Sequence, residues 1–279
     1  MYTFKPYTED AQSLKQRLEH ILTSIPTLDH QKVFRQILSL IDLTTLSGDD
    51  TDEKVTQLCQ QAIATKSKTK NTNPVAAVCV YPVFAELVSQ QLKETGIKTA
   101  CVAGAFPSGQ SPLGLRVEEV VYAVQFGADE IDMVISRGKI IEGNEDYVSQ
   151  EVEAIKTACG DAHLKVILET GELKSVELIR KASELAILGG ADFIKTSTGK
   201  IQPAATPEAF LVMLDTIKEY FDATGIKIGI KPAGGISTPE EALVYYALVQ
   251  HVLGEDWLNN NLFRIGASRL TTHLFNEIN

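Results

Sequence analysis

Eight short apolar runs, each separated from the next by a longer amphipathic stretch, are the feature that most narrows what this chain can fold into. The runs are LSLIDLT (38–44), AAVCVY (76–81), KTACVAGAF (98–106), EIDMVIS (130–136), LKVILET (164–170), DFIKTST (192–198), IKIGIKPA (226–233) and LFRIGAS (262–268). Their β-branched and aromatic content predicts strands. Between them lie segments such as DEKVTQLCQQAIA and VELIRKASELAILGGA. The second spaces Leu178, Ala182, Leu185 and Leu188 three and four residues apart, which predicts a helix. Helix starts are marked by chemistry as well. Thr238-Pro239-Glu240-Glu241 orders an N-cap, a first-turn proline and a capping-box glutamate, and Thr206-Pro207-Glu208 opens in the same way.

Strand–helix alternation repeated eight times, without a long linker, predicts a (β/α)8 TIM barrel. An open doubly wound sheet would place a glycine-rich phosphate loop after its first strand, where this chain has DLTTLSGDD. Residues 1–30 are expected to form a helical leader, containing EDAQSLKQRLEHILTSI, that covers the barrel's lower end. Residues 31–279 are expected to form the catalytic barrel.

Side chains alternate along a strand between the helix layer and the barrel interior. With Ile131, Met133 and Ile135 facing the helices, Asp132 turns inward. The same alternation turns Lys195 inward beside Ile194, Lys231 beside Ile230, and Asp42 between Ile41 and Leu43. Any one of these alone reads as a buried salt-bridge partner. Together, at the strand ends where barrel enzymes carry their chemistry, they read as a site. Two ammonium groups about 5 Å apart, at an effective dielectric near 20, repel by roughly 3 kcal/mol. That repulsion would bring one lysine from about 10.4 towards 8. Desolvation acts in the same direction. A free amine in this position is a nucleophile for a carbonyl carbon, giving a Schiff base. Lys195 is the expected nucleophile, Lys231 its activating charge and Asp132 a proton carrier.

Three glycine-bearing turns follow the last three strands: Thr198-Gly199-Lys200, Gly234-Gly235-Ile236-Ser237 and Gly266-Ala267-Ser268. One such turn is ordinary. Three in consecutive loops, with Lys200 as a cation, predict a phosphate site.

Other chemistry finds little support. The formal charge of −10 argues against nucleic acid. No apolar run approaches a membrane span, and MYTFKPYTED lacks the pattern of a signal peptide. The four cysteines are scattered, so free thiols in a cytoplasmic protein are expected, with Cys79 facing the pocket. Five dispersed histidines lack metal-ligand spacing, and neither a metal nor an organic cofactor is expected.

At these residues the chain closely resembles deoxyribose-phosphate aldolase, a class I aldolase family. The resemblance runs from LIDLTTLSGDDTDEKV (40–55) through EIDMV, LKVILETGELK, ADFIKTSTGK and KPAGGI to FRIGAS (263–268). It implies cleavage of a small phosphorylated sugar to aldehydes, with Lys195 as the Schiff-base lysine, Lys231 its partner and Asp132 the acid/base. It further implies that Asp42 and Lys165 organise a proton relay. Phosphate contacts would fall on Thr198, Gly199, Lys200, Gly234, Gly235, Ser237, Gly266 and Ser268. The assembly is left open, with a homodimer among the expectations. Two departures stand out. The chain stops at LFNEIN without the tail tyrosine of some members, which leaves a tail-assisted proton step without its residue. The leader is also longer than the family core. A transaldolase-like enzyme and a catalytically inactive phosphosugar-binding barrel are the competing readings.

Overall fold

The structure, a computed structural model, describes residues 2–68 and 73–278. Its strands are β1 (Ile41–Thr44), β2 (Ala77–Val80), β3 (Lys98–Ala103), β4 (Glu130–Val134), β5 (His163–Ile167), β6 (Phe193–Lys195), β7 (Gly229–Lys231) and β8 (Ile265–Ala267). The helices that precede and separate them are α1 (Ala11–Leu22), α2 (His30–Leu38), α3 (Asp52–Lys68), α4 (Ala85–Gln91), α5 (Leu113–Gln125), α6 (Arg137–Ile141) and α7 (Glu145–Cys159). These continue with α8 (Thr170–Leu173), α9 (Val176–Leu188), α10 (Pro207–Thr224), α11 (Pro239–Leu253) and α12 (Leu270–Ile278).

All strand pairs are parallel, in the order β7-β6-β5-β4-β3-β2-β1-β8. Bridges between Ile230 and Phe263 and between Ala233 and Gly266 join β7 to β8 and close the barrel. The helix starts follow their sequence signals. Thr238 caps α11 in a full capping box with Glu241, and Thr206 caps α10 ahead of Pro207.

Alternation along the strands sorts two apolar layers. Ile41, Leu43, Val78, Val80, Ile131 and Met133 join the large core beneath the helices. Ala77, Cys79, Ala100 and Val102 form a small separate group inside the barrel. The strands are shorter than their apolar runs. Leu38 ends α2 rather than starting β1, and β7 occupies three residues of IKIGIKPA. Burial on both faces gives the backbone no polarity change to mark where pairing stops.

Within the leader, α1 packs along α10 and α11 on the barrel's flank. Asp215 and Glu219 of α10 fix it there. Arg17 reaches both Asp215 oxygens at 2.7 and 2.8 Å, Tyr7 reaches Asp215 at 2.6 Å, and Tyr2 reaches Glu219 at 2.9 Å. The guanidinium of Arg180 on α9 lies 5.0 Å from the ring centres of both Phe4 and Tyr7. No helix among the described residues is long and apolar enough to cross a membrane.

Candidate active site

Parallel register sets the lysines side by side. Lys195 pairs with Lys231 across β6 and β7, and Asp132 pairs with Lys165 across β4 and β5. Strand alternation then turns all four side chains into the barrel. Asp132 becomes the hub. Its Oδ2 accepts from Lys195 Nζ at 2.7 Å and from Lys231 Nζ at 2.6 Å, and its Oδ1 accepts from Lys165 Nζ at 3.0 Å. Asp42 accepts from Lys231 at 2.5 Å.

Two members of this network were not anticipated. Glu130 accepts from Lys165 at 2.6 Å, and Arg264 bridges Asp42 (2.7 Å) and Glu130 (2.7 Å). The signal for both was available. Glu130 lies two residues before Asp132, and Arg264 stands between outward Phe263 and Ile265, so the same alternation sends them inward. Phe193 completes the floor, its ring 5.9 Å from both Lys165 Nζ and the Arg264 guanidinium. Room for that ring comes from Gly229, where a Cβ would meet it at 2.3 Å.

The interior thus holds three carboxylates (Asp42, Glu130, Asp132) and four basic side chains (Lys165, Lys195, Lys231, Arg264), all buried. An unmatched charge in such a place is costly. If one base is neutral, the remaining charges balance. Burial and local contacts select Lys195 for that role. Burial lowers its proton affinity, Asp132 raises it, Lys231 lowers it again, and the balance leaves Lys195 below the ordinary lysine value. Lys231 suffers the same burial, but Asp132 and Asp42 outweigh it and push Lys231 above that value. Asp132 is also buried, which works against its charge. Lys165, Lys195 and Lys231 outweigh that and hold it well below the usual carboxylate range. Desolvation is therefore the leading cause of the Lys195 shift, with repulsion from Lys231 contributing after it.

Above the network opens a cavity of about 360 Å³ at the C-terminal ends of β1, β6, β7 and β8. Lys195, 3% exposed, is the one member of the ionic group on its wall among the described residues. Asp132, Lys231, Asp42 and Lys165 lie wholly buried below it. Thr198, Gly199, Lys200, Gly234, Gly235, Ser237, Gly266 and Ser268 all border the cavity. Gly234 has φ of +83°, and a Cβ there would lie 2.6 Å from the Ala204 Cβ and 2.9 Å from the Gly199 Cα, so two of the turns meet only through glycine.

The polar groups expected to bind an anion are partly engaged within the protein. Lys200 Nζ donates to the Leu46 carbonyl, and the Ser237 amide and hydroxyl donate to Glu241. Arg269, an exposed cation on the cavity wall beside Ser268, was missed, because it falls outside the glycine turns that flagged the rest. Cys79 faces the interior as expected. Burial pushes its thiol above the usual cysteine value, which leaves it protonated and a poor nucleophile.

Comparison with known proteins places this geometry in context. Residues 36–254 match the model of the DeoC/LacD family aldolases. A mouse deoxyribose-phosphate aldolase is 46% identical over 251 residues, which cover 86% of this chain and 79% of the mouse protein. The human deoxyribose-phosphate aldolase is 43% identical over the same length, with the same coverage of each chain. A solved structure of the deoxyribose phosphate aldolase from Aeropyrum pernix superposes with a TM-score of 0.69 at 24% identity. It covers 96% of this chain and 98% of that one, a likeness of fold.

Proposed function

This chain belongs to the DeoC/LacD family of aldolases, and we propose that it reversibly cleaves 2-deoxy-D-ribose 5-phosphate to acetaldehyde and D-glyceraldehyde 3-phosphate through a Schiff base on Lys195. One observation carries the reading. Lys195 and Lys231 share a single Asp132 oxygen, yet only Lys195, held below its usual proton affinity, borders the cavity.

The neutral Lys195 amine adds to the aldehyde carbon C1 of the open-chain sugar. Loss of water gives an iminium, which withdraws electrons from C2. Deprotonation of the C3 hydroxyl breaks the C2–C3 bond, releasing glyceraldehyde 3-phosphate and leaving an enamine on Lys195. The proton lost from the C3 hydroxyl, relayed through Asp132 as the acid/base, is returned to C2 and restores the iminium, and water releases acetaldehyde. Asp132 exchanges protons with the lysine nitrogen it touches, while Lys231 stays cationic and favours the neutral amine beside it. Asp42 and Lys165 hold that pair in place, each bonded into the same carboxylate network. The phosphate sits on the turns at Thr198–Lys200, Gly234–Ser237 and Gly266–Ser268, with Lys200 and Arg269 as its cations. In the cell the reaction would serve breakdown of deoxyribonucleotide sugars.

Borohydride reduction in the presence of acetaldehyde tests the reading directly. The expected result is one two-carbon adduct, located by peptide mass spectrometry on Lys195. An adduct confined to Lys231, or none, would overturn it.

A further inference from the structure

The carboxylate of Glu169 belongs neither to the ionic network nor to the cavity wall, yet the backbone holds it in a costly way. Glu169 follows β5 with φ 56° and ψ 60°, a left-handed conformation that side chains other than glycine seldom adopt. Both of its neighbours are pinned to the end of β6 and the residue that follows it. The Leu168 amide donates to the Lys195 carbonyl at 2.9 Å, and the Thr170 amide donates to the Thr196 carbonyl at 3.0 Å. The donors are two residues apart while their acceptors are consecutive. Glu169 is therefore an extra residue, bulged out of the ladder that β5 makes with the lysine-bearing strand. Bulges of this kind re-aim a side chain.

The target of that aim is Thr198. The Thr198 amide donates to Glu169 Oε1 at 3.2 Å and its hydroxyl donates to Oε2, and the same hydroxyl oxygen accepts from the Lys200 amide at 3.1 Å. Glu169 is 1% exposed, and among the described residues no basic side chain forms an ion pair with it. Its buried carboxylate is thus committed to one residue of one turn. Thr198, Gly199 and Lys200 line the cavity directly above Lys195.

We propose that Glu169 is the positioning residue of the phosphate-binding turn at 198–200. By gripping Thr198 it ties that turn to the backbone at Lys195 and Thr196, and so sets the separation between the nucleophile and the anion site. The inference deepens the aldolase reading above and takes from it only the identity of the anion.

Phosphate affinity and a two-substrate comparison test it. Inorganic phosphate binding is measured by titration calorimetry on the wild type, Glu169→Ala and Glu169→Gln. Cleavage of 2-deoxyribose 5-phosphate and of unphosphorylated 2-deoxyribose is measured on the same proteins. Loss of one charge-assisted contact predicts that Glu169→Ala weakens phosphate binding and raises KM for the phosphorylated sugar about tenfold. Its kcat/KM for 2-deoxyribose should stay within about twofold of wild type, since that sugar makes no use of the anion site. Glu169→Gln, which keeps one oxygen for Thr198, should recover part of the loss. Thr198→Val, which removes only the hydroxyl, should reproduce the loss without touching the bulge. Unchanged phosphate affinity, or an equal fall on both sugars, would overturn the proposal. Wild-type cleavage of neither sugar would overturn the aldolase reading instead, and phosphate affinity would still decide the role of Glu169.

Discussion

Among the buried charges of the described residues, two groups are built to opposite ends. One lies outside the barrel wall at the end of β4. There Arg116 of α5 donates to Glu151 of α7 at 2.6 Å, to Ser136 at 2.8 Å and to the Val134 carbonyl at 2.7 Å. Glu151 also accepts from the Ser136 amide and hydroxyl, each at 2.7 Å. One cation meets one anion, both side chains are fully buried, and neither lines the cavity. The other group fills the barrel interior, where four bases meet three carboxylates and one base reaches open space. Burial is common to both. What separates the two here is an unmatched charge together with an opening onto the cavity.

The largest expected effect falls on activity at the unmatched base. Lys195→Met should reduce turnover to background at every pH, since no other amine of the ionic network borders the cavity. Arg116→Met should leave kcat within about twofold of wild type in the folded fraction. A pH–rate profile normalised by circular dichroism reads both. Residual pH-dependent cleavage in Lys195→Met would mean that a second lysine can serve, and the comparison would break.

Breaking the matched pair should cost stability instead. Glu151→Ala leaves Arg116 buried without its anion and should destabilise the fold by about 3–5 kcal/mol. Replacing both partners, as in Arg116→Met with Glu151→Leu, should recover most of that. Denaturant unfolding measures each. A Glu151→Ala protein of wild-type stability would show that the pair does not act as a clasp.

The next effect sharpens the division of labour inside the barrel. Lys231→Leu removes a like charge from beside Lys195 and leaves Asp132 to pair more closely with it. Both changes raise the proton affinity of Lys195. Activity near neutral pH should fall roughly a hundredfold, the counterpart of about 3 kcal/mol, and part of it should return as the pH rises. A flat profile at wild-type rate would remove Lys231 from the mechanism.

How much of this was legible in the sequence follows from period and parity. An alternation of strand and helix repeated eight times specified a barrel, and the side-chain period of two turned Asp42, Asp132, Lys195 and Lys231 inward. The same parity applied to FRIGAS and EIDMV would have delivered Arg264 and Glu130. Lys165 was reached by resemblance, although it alternates with Leu164 and Val166 just as clearly. Glu169 was beyond reach. A bulge shifts parity by one, and only the β5–β6 register reveals it. The Arg116–Glu151 clasp joins two helices 35 residues apart, and nothing in either helix names the other. The leader's position likewise depended on acids of α10 that read, along the chain, as ordinary helix-surface charges.

The smallest effect is also the one in which the two groups should differ in sign. Lys195 is held below its ordinary proton affinity, so at neutral pH the unfolded chain binds a proton that the folded protein binds less tightly. This difference costs stability. The penalty is full below the lowered folded value. It shrinks as the pH rises from there and vanishes above the unfolded value of about 10.4. Lys195→Met removes the penalty and keeps much of the side-chain volume. Three carboxylates then face three cations. The variant should be more stable than wild type at pH 7, by about 1 kcal/mol, a scale common where activity needs an unfavourable group. The gap should narrow as the pH climbs towards 10. Denaturant unfolding of both proteins at pH 7 and pH 10 measures it, alongside Arg116→Met, which should be destabilised at both. A Lys195→Met protein less stable than wild type at pH 7 would mean that the ammonium is a matched partner of Asp132. The barrel interior would then be a second clasp, larger than the first but of the same kind.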